Sequence, residues 1–83
     1  MSESALKELI KDALHVLNHV TAELINGVDE NDLIARYQGQ FVVPGVGIRQ
    51  HLRELWAGNC LYRKEGKIFL KDSCNPLKLL GIA

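Results

Sequence analysis

A helical pattern changes to a strand pattern at Gly58, and this change constrains the fold more than any other feature of the chain. Apolar residues recur at helical spacing from 47 to 57. Two short apolar stretches, 60–62 and 68–70, are strand-like, and Lys64-Glu65-Gly66-Lys67 between them has the composition of a tight turn. A helix followed at once by a hairpin predicts an α+β fold.

The length and composition are those of one small domain covering residues 1–83. Hydrophobic residues make up 47% of the chain, but no apolar run approaches the roughly 20 residues of a membrane span. The start of the sequence lacks the basic-then-apolar pattern of a signal peptide. We therefore expect a cytoplasmic protein that does not enter the membrane. Cys60 and Cys74 are expected to be reduced thiols in that compartment, and a disulfide between them is the alternative.

Charge is divided unevenly between the two halves, although the net charge is zero. Residues 1–48 carry three Lys or Arg against seven Asp or Glu, whereas residues 49–83 carry seven against three. A positive field on one side of a neutral protein attracts phosphate, and it equally attracts an acidic protein.

Residues 4–26 have the pattern of a long amphipathic helix that Asn26-Gly27 ends. Its apolar stripe consists of Leu6, Leu9, Ile10, Ala13, Leu14, Leu17, Val20 and Leu24, and Val16 and Ile25 widen it. This helix would be roughly 30 Å long, at about 1.5 Å per residue. It either covers the core of the domain or also forms a dimer seam, and the sequence leaves both open.

A second, short helix is predicted over residues 30–38, with Asp29 as its N-cap. The side chains expected to face inward are Leu33, Ile34 and Tyr37. Residues 39–47 follow as a non-helical segment, in which Phe41, Val42 and Val43 are extended. Pro44-Gly45 forms a turn. After the hairpin, Asn75 and Pro76 are expected to open a last helical turn. The apolar residues of this tail are expected to pack on the body of the domain: Leu77, Leu79 and Leu80.

The order of helix, helix and hairpin from residue 29 to residue 71 resembles the winged helix-turn-helix superfamily. The run HLRELWAGNCLYR resembles the end of a recognition helix that continues into the wing, over about 47–57 and 60–71. The resemblance implies a small winged helix-turn-helix with a long N-terminal helix and a C-terminal hairpin wing. Residues 38–47 depart from it, because they are longer and more apolar than the turn typical of that superfamily.

Members of this superfamily place the second helix of the motif in the DNA major groove and the wing on the backbone or in the minor groove. The resemblance therefore implies a transcriptional regulator that binds double-stranded DNA. Gln50 and Arg53 would contact base edges, since both side chains form paired hydrogen bonds there. The expected phosphate contacts are Arg49, Arg63, Lys64 and Lys67. Glu54 lies on the same predicted face and would repel phosphate.

An alternative use of the same scaffold is protein binding, as an inhibitor or adaptor that does not bind DNA. The apolar segment around Phe41, Val42 and Val43 and the exposed remainder of the first helix would then be the contact surface. Whether these three side chains are buried discriminates the two functions.

Catalytic and metal-binding patterns are missing from the sequence. No nucleophile elbow, phosphate-binding glycine loop or HExxH motif occurs, so we expect neither an enzyme nor a cofactor. His15 and His19 are spaced four residues apart, which can place two imidazoles on one metal, but no third ligand accompanies them. The sequence therefore predicts no metal site.

Overall fold

The computed structural model describes residues 3, 5, 6, 9, 14–76 and 81. Its elements run in the order α1 (His15–Asn26), α2 (Glu30–Tyr37), β1 (Phe41–Val43), β2 (Val46–Gly47), α3 (Ile48–Ala57), β3 (Leu61–Lys64), β4 (Lys67–Leu70) and a 3₁₀ turn (Asp72–Cys74). The protein is thus a small α+β domain whose last hairpin follows its helices. None of the helices in the described ranges is long and apolar enough to cross a membrane.

Helix α1 corresponds to the second half of the helix that the sequence predicts over residues 4–26. It begins at His15 because Leu14 has φ −103° and ψ 28°, outside the helical region. Glu3, Ala5, Leu6 and Leu9 are also helical, whereas the rest of 4–13 lies outside the described residues.

Helix α1 buries one face in the core. Leu17, Val20 and Leu24 are buried as the apolar stripe predicts, and Thr21 is buried beside them. Ile25 was expected to widen the stripe, but it is 49% exposed, so this prediction is wrong. Ile25 directly follows the buried Leu24, so its side chain points away from the buried face of the helix.

Helix α2 begins where the sequence predicts, because the Asp29 side chain accepts a hydrogen bond of 3.0 Å from the backbone N–H of Asp32. Leu33 is fully buried, while Ile34 and Tyr37 pack against the core from its edge. The prediction that these three residues face inward is confirmed.

The segment between α2 and α3 forms a two-stranded hairpin. Phe41 pairs with Gly47 and Val43 pairs with Val46, which leaves Pro44-Gly45 as a two-residue turn. Gly45 has a φ of +81°, which the second turn position of a type II turn requires. The extended segment and its turn are therefore confirmed, although β2 was not predicted.

Helix α3 buries Ile48, His51 and Leu52 and ends in a Schellman motif. The N–H of Asn59 bonds to the Trp56 carbonyl at 3.0 Å, and the N–H of Cys60 bonds to the Leu55 carbonyl at 2.9 Å. Asn59 supplies the left-handed residue, with φ +57°. The predicted end of the helix is confirmed, and the end fixes the direction in which the chain enters β3.

Strands β3 and β4 pair in antiparallel register from Leu61 opposite Leu70 to Lys64 opposite Lys67. Val28, between α1 and α2, adds a third short partner, since it exchanges two backbone hydrogen bonds of 3.1 and 2.8 Å with Ile68. A segment after the first helix thus pairs with the terminal hairpin, which is consistent with a winged-helix-like layout. Buried side chains from every helix and from β1, β3 and β4 form one core cluster.

The turn of the β3–β4 hairpin contains a residue in an unfavourable conformation. Glu65 and Gly66 are its two central residues and have φ values of +53° and +79°, as in a type I′ turn. We expect Glu65→Asn to stabilise the domain by about 0.5–1 kcal/mol, because asparagine tolerates this conformation better. Urea unfolding measures the gain. Glu65→Gln removes the same charge without this preference, so an equal gain in that variant would contradict the conformational explanation.

The chain after β4 forms the 3₁₀ turn at Asp72–Cys74, which the sequence did not predict. Pro76 is helical, in line with the expected last turn. Leu77, Leu79 and Leu80, which were expected to pack on the body, lie outside the described residues.

Candidate functional site

The outer face of α3 carries the side chains that the sequence assigned to DNA. Arg49, Gln50 and Arg53 are all exposed, while Ile48 and Leu52 on the opposite face are buried. The helical period explains the separation, since residues 49, 50 and 53 fall within one arc of the helix. A helix anchored through one face thus presents two guanidinium groups and an amide on the other.

Two shallow grooves flank this face, each with a volume of about 290 Å³. The first runs between α2 and α3 and is lined by Glu30, Ile34, Arg49, Leu52, Arg53 and Trp56. The second lies at the start of α3 and is lined by Gln38, Gly39, Gln40, Gly47, Ile48, Arg49 and Gln50. Arg49 lines both grooves, so its side chain lies between them.

The two arginines of α3 are not neutralised by neighbouring side chains. In the described part of the chain, no carboxylate lies within 4.0 Å of the guanidinium of Arg49 or Arg53. Glu54 is exposed on the same helix and is the nearest acidic residue in sequence. The charge of Arg49 and Arg53 is therefore available to an anion from outside the molecule.

Arg63 differs from these two because it is already paired within the domain. Its Nη2 atom donates a hydrogen bond of 3.0 Å to Glu30 Oε1, and its guanidinium lies 5.2 Å from the centre of the Trp56 ring. Trp56 Nε1 donates to the other oxygen of Glu30 at 2.9 Å. A phosphate that binds Arg63 must therefore compete with Glu30.

This three-residue cluster joins β3, α3 and the start of α2. The hydrogen bond from Trp56, followed by the interaction with Arg63, lowers the pKa of Glu30 in spite of partial burial. The carboxylate therefore stays ionised and keeps holding Arg63. Glu30 and Trp56 were not predicted as part of the site, because they lie 33 and seven residues from Arg63 and no local sequence pattern links such positions.

The basic residues of the wing lie on two different faces of its hairpin. Arg63 shares the inner face with Leu61, because alternate residues of a strand point the same way. Lys64 and Lys67 pair across the strands at the end of the hairpin, one residue further along, and both are exposed. The structure thus brings the two lysines together and places Arg63 apart from them.

The apolar segment between α2 and α3 is divided between the core and the surface. Val42 is buried, Val43 is half-buried and Phe41 is 66% exposed. A groove of about 350 Å³ beside Phe41 is lined by His15, Val16, Phe41, Val42, Val43 and Pro44. The burial of Val42 removes it from any contact surface, whereas Phe41 remains available to one.

The two histidines of α1 contact each other at the surface. The rings of His15 and His19 lie 4.4 Å apart, edge to face, and both residues are exposed. Among the described residues, no three His, Cys, Asp or Glu side chains are grouped as metal ligands would be.

His51 lies on the buried face of α3 and anchors the helix. Its Nε2 atom has no hydrogen-bond partner among the described residues, and desolvation lowers the pKa of the imidazole below its ordinary value of 6.5. The unfolded chain therefore takes up a proton at a higher pH than the folded one.

We expect the free energy of unfolding to lose a contribution from His51 as the pH falls below about 6.5, by at most about 1.4 kcal/mol per pH unit. Above the ordinary pKa this contribution is fully present, since the imidazole is neutral in both states. Urea unfolding at about pH 7.5 and about pH 5.5 measures the difference. The variant His51→Leu should lose less stability over this interval, and an equal loss in both proteins would contradict the role of His51.

Comparison of the chain with protein-family models, curated proteins and solved structures gave no match. The geometry of α3 and the β3–β4 hairpin is therefore the basis on which we infer a function.

Proposed function

We propose that this protein is a DNA-binding domain of winged-helix type and acts in the cytoplasm as a transcriptional regulator. The observation that carries the proposal is the outer face of α3, where Arg49, Gln50 and Arg53 are exposed and the two arginines have no carboxylate partner among the described residues. In this proposal the protein binds its partner without catalysing a reaction on it.

The dimensions of α3 suit the major groove of DNA. An α-helix with its side chains is about 10–12 Å across, and the groove is about 12 Å wide. The ten residues of α3 give it a length of about 15 Å along the groove. Arg53 can form paired hydrogen bonds with guanine and Gln50 with adenine. Arg49, at the start of the helix, would contact a phosphate at the rim of the groove.

The wing supplies a second contact with the DNA backbone. Lys64 and Lys67 lie opposite each other at the end of the hairpin and are both exposed, so they can bind phosphates of one strand. Arg63 contributes chiefly by holding the wing against α3 through Glu30 and Trp56. Its direct contact with phosphate, which the sequence predicts, requires release from Glu30.

Binding to a mixed-sequence DNA duplex across a salt series tests the proposal. Three phosphate contacts, from Arg49, Lys64 and Lys67, give an expected slope of log K against log salt of about −3. Fluorescence anisotropy measures the affinity at each salt concentration. Absence of binding at low salt would contradict the proposal and favour a protein partner.

Protein binding is the second candidate function, and the exposure of Phe41 favours it. A side chain of this size at 66% exposure, beside an apolar groove, can be the anchor of a contact with another protein. An inhibitor or adaptor of this kind would leave the outer face of α3 in water. The variant Phe41→Ser distinguishes the two functions. It removes the side chain proposed to contact a protein, and it should leave the salt-dependent DNA affinity unchanged.

Dimerisation through the first helix is part of the same proposal. Leu6 and Leu9 are 51% and 53% exposed and lie three residues apart in helical conformation, so they share one side. A symmetric partner would cover both and would present two copies of α3 to DNA. Analytical ultracentrifugation tests this, since Leu6→Lys with Leu9→Lys should convert a dimer to a monomer.

A further inference from the structure

Cys60 and Cys74 are neighbours at the base of the β3–β4 hairpin, although the sequence separates them by the whole wing. The carbonyl of Cys60 accepts a hydrogen bond of 2.8 Å from the N–H of Lys71, one position beyond the last strand pair. The 3₁₀ turn then brings the chain back, with the N–H of Cys74 bonded to the Lys71 carbonyl at 3.0 Å. The two cysteines thus lie at the same end of the hairpin, where the Cys74 side chain raises the pKa of the Cys60 thiol.

Both cysteines are reduced and accessible in this structure. Each is free and half-buried, packed against the edge of the core rather than inside it. Cys60 Sγ lies 3.6 Å from the Gly58 carbonyl, and Ser73 Oγ lies 4.0 Å from Cys74 Sγ. A small oxidant can therefore reach the pair, and no rearrangement of the core is needed.

We infer that Cys60 and Cys74 form a redox-active dithiol that a small-molecule disulfide such as oxidised glutathione converts to an intramolecular disulfide. This inference does not depend on the proposed binding of DNA. It assigns a modification site to two residues that the sequence alone predicts as reduced thiols.

The chemistry proceeds by two thiol–disulfide exchanges. One protein thiolate attacks a sulfur of oxidised glutathione, forms a mixed disulfide and releases one glutathione thiolate. The second protein thiolate then attacks the protein sulfur of the mixed disulfide and releases the second glutathione. Two protein thiols are oxidised, oxidised glutathione is reduced to two thiols, and the two protons pass to the released glutathione.

The product would close a covalent loop from residue 60 to residue 74 around the wing. Such a loop restricts the unfolded chain, so oxidation should raise Tm by about 10 °C or more. The interaction with Cys74, followed by burial, raises the pKa of the Cys60 thiol, so the exchange should accelerate as the pH is raised.

Incubation of the folded chain with glutathione redox buffers, followed by mass spectrometry, tests the inference. The wild-type protein should lose two hydrogens, remain free of attached glutathione and yield a peptide that joins Cys60 to Cys74. The single variants Cys60→Ser and Cys74→Ser cannot complete the second step, so each should retain one glutathione.

Two results would overturn the inference. One is a wild-type protein that accumulates glutathione on separate cysteines, and the other is one that forms disulfide-linked dimers. Melting curves of the oxidised and reduced wild-type protein give an independent reading, since a pair that is not pre-positioned would leave Tm unchanged or lowered.

Discussion

Gly27→Ala is expected to destabilise the domain by about 2–4 kcal/mol, a large share of the stability of a domain this small. Gly27 has φ +93° and ψ 129°, a conformation that side chains with a Cβ rarely adopt. A Cβ at this position would also lie 2.4 Å from Cε1 of the Phe69 ring. Both effects act at the point where the chain leaves α1 and reaches its pairing with β4.

The crowding at Gly27 arises from the sheet register. Val28 pairs with Ile68, so Gly27 lies beside Phe69 on the next strand position. The Phe69 ring lies close to the glycine and also stacks against Tyr62, with centroids 5.3 Å apart. If the ring moved aside to admit a methyl group, it would lose this stacking.

A double-mutant cycle separates strain in the backbone from contact with the ring. In the Phe69→Ala background, Gly27→Ala should cost only the conformational part, about 1–3 kcal/mol. Gly39→Ala is the matched control, since Gly39 has φ +86° but no neighbour within 4 Å of the added Cβ. Chemical denaturation measures the four proteins of the cycle and the Gly39→Ala control, and equal losses for Gly27→Ala and Gly39→Ala would show that the ring contact contributes nothing.

Local signals in the sequence were sufficient to predict the elements that depend on near neighbours. Asp29 caps α2 through a residue three positions away, Asn59 ends α3 within one turn, and Gly66 fixes a two-residue loop. In each of these cases the physical cause lies within a few residues, so the pattern determines the structure. The helices and the wing hairpin could be predicted for this reason.

Contacts between distant parts of the chain could not be predicted in the same way. Val28 has no strand pattern around it, and its pairing with Ile68 follows from how α1 and the hairpin pack together. The contact of Arg63 could not be predicted either, because the sequence shows this residue only as one of several basic side chains near the wing. Its partner Glu30 lies 33 residues away. In the sequence, a glutamate in the first turn of a helix is equally compatible with a side chain in solvent.

The largest expected effect on function is the loss of sequence preference in Arg53→Ala. If Arg53 contacts a base edge, its truncation should weaken binding to a preferred duplex by about 1–3 kcal/mol and leave binding to duplexes altered at that base pair nearly unchanged. Lys64→Ala removes a phosphate contact instead, so it should weaken every duplex by a similar factor and reduce the salt slope by about 1.

Selection from a random pool of duplexes provides the preferred sequence, and anisotropy with its single-base-pair variants provides the comparison. Arg36→Ala is the charge-matched control, because the guanidinium of Arg36 is paired with Glu23 of α1 and lies outside the proposed surface. It should leave both affinity and preference unchanged.

The pattern of losses distinguishes recognition of bases from attraction by charge. Arg53 and Lys64 both carry one positive charge and are both exposed, so a purely electrostatic surface would respond equally to either substitution. Only a helix seated in the major groove makes the cost of Arg53→Ala depend on one base pair. Equal loss on all sequences for both variants would therefore remove Arg53 as a base contact, and would place α3 beside the DNA backbone rather than in the groove.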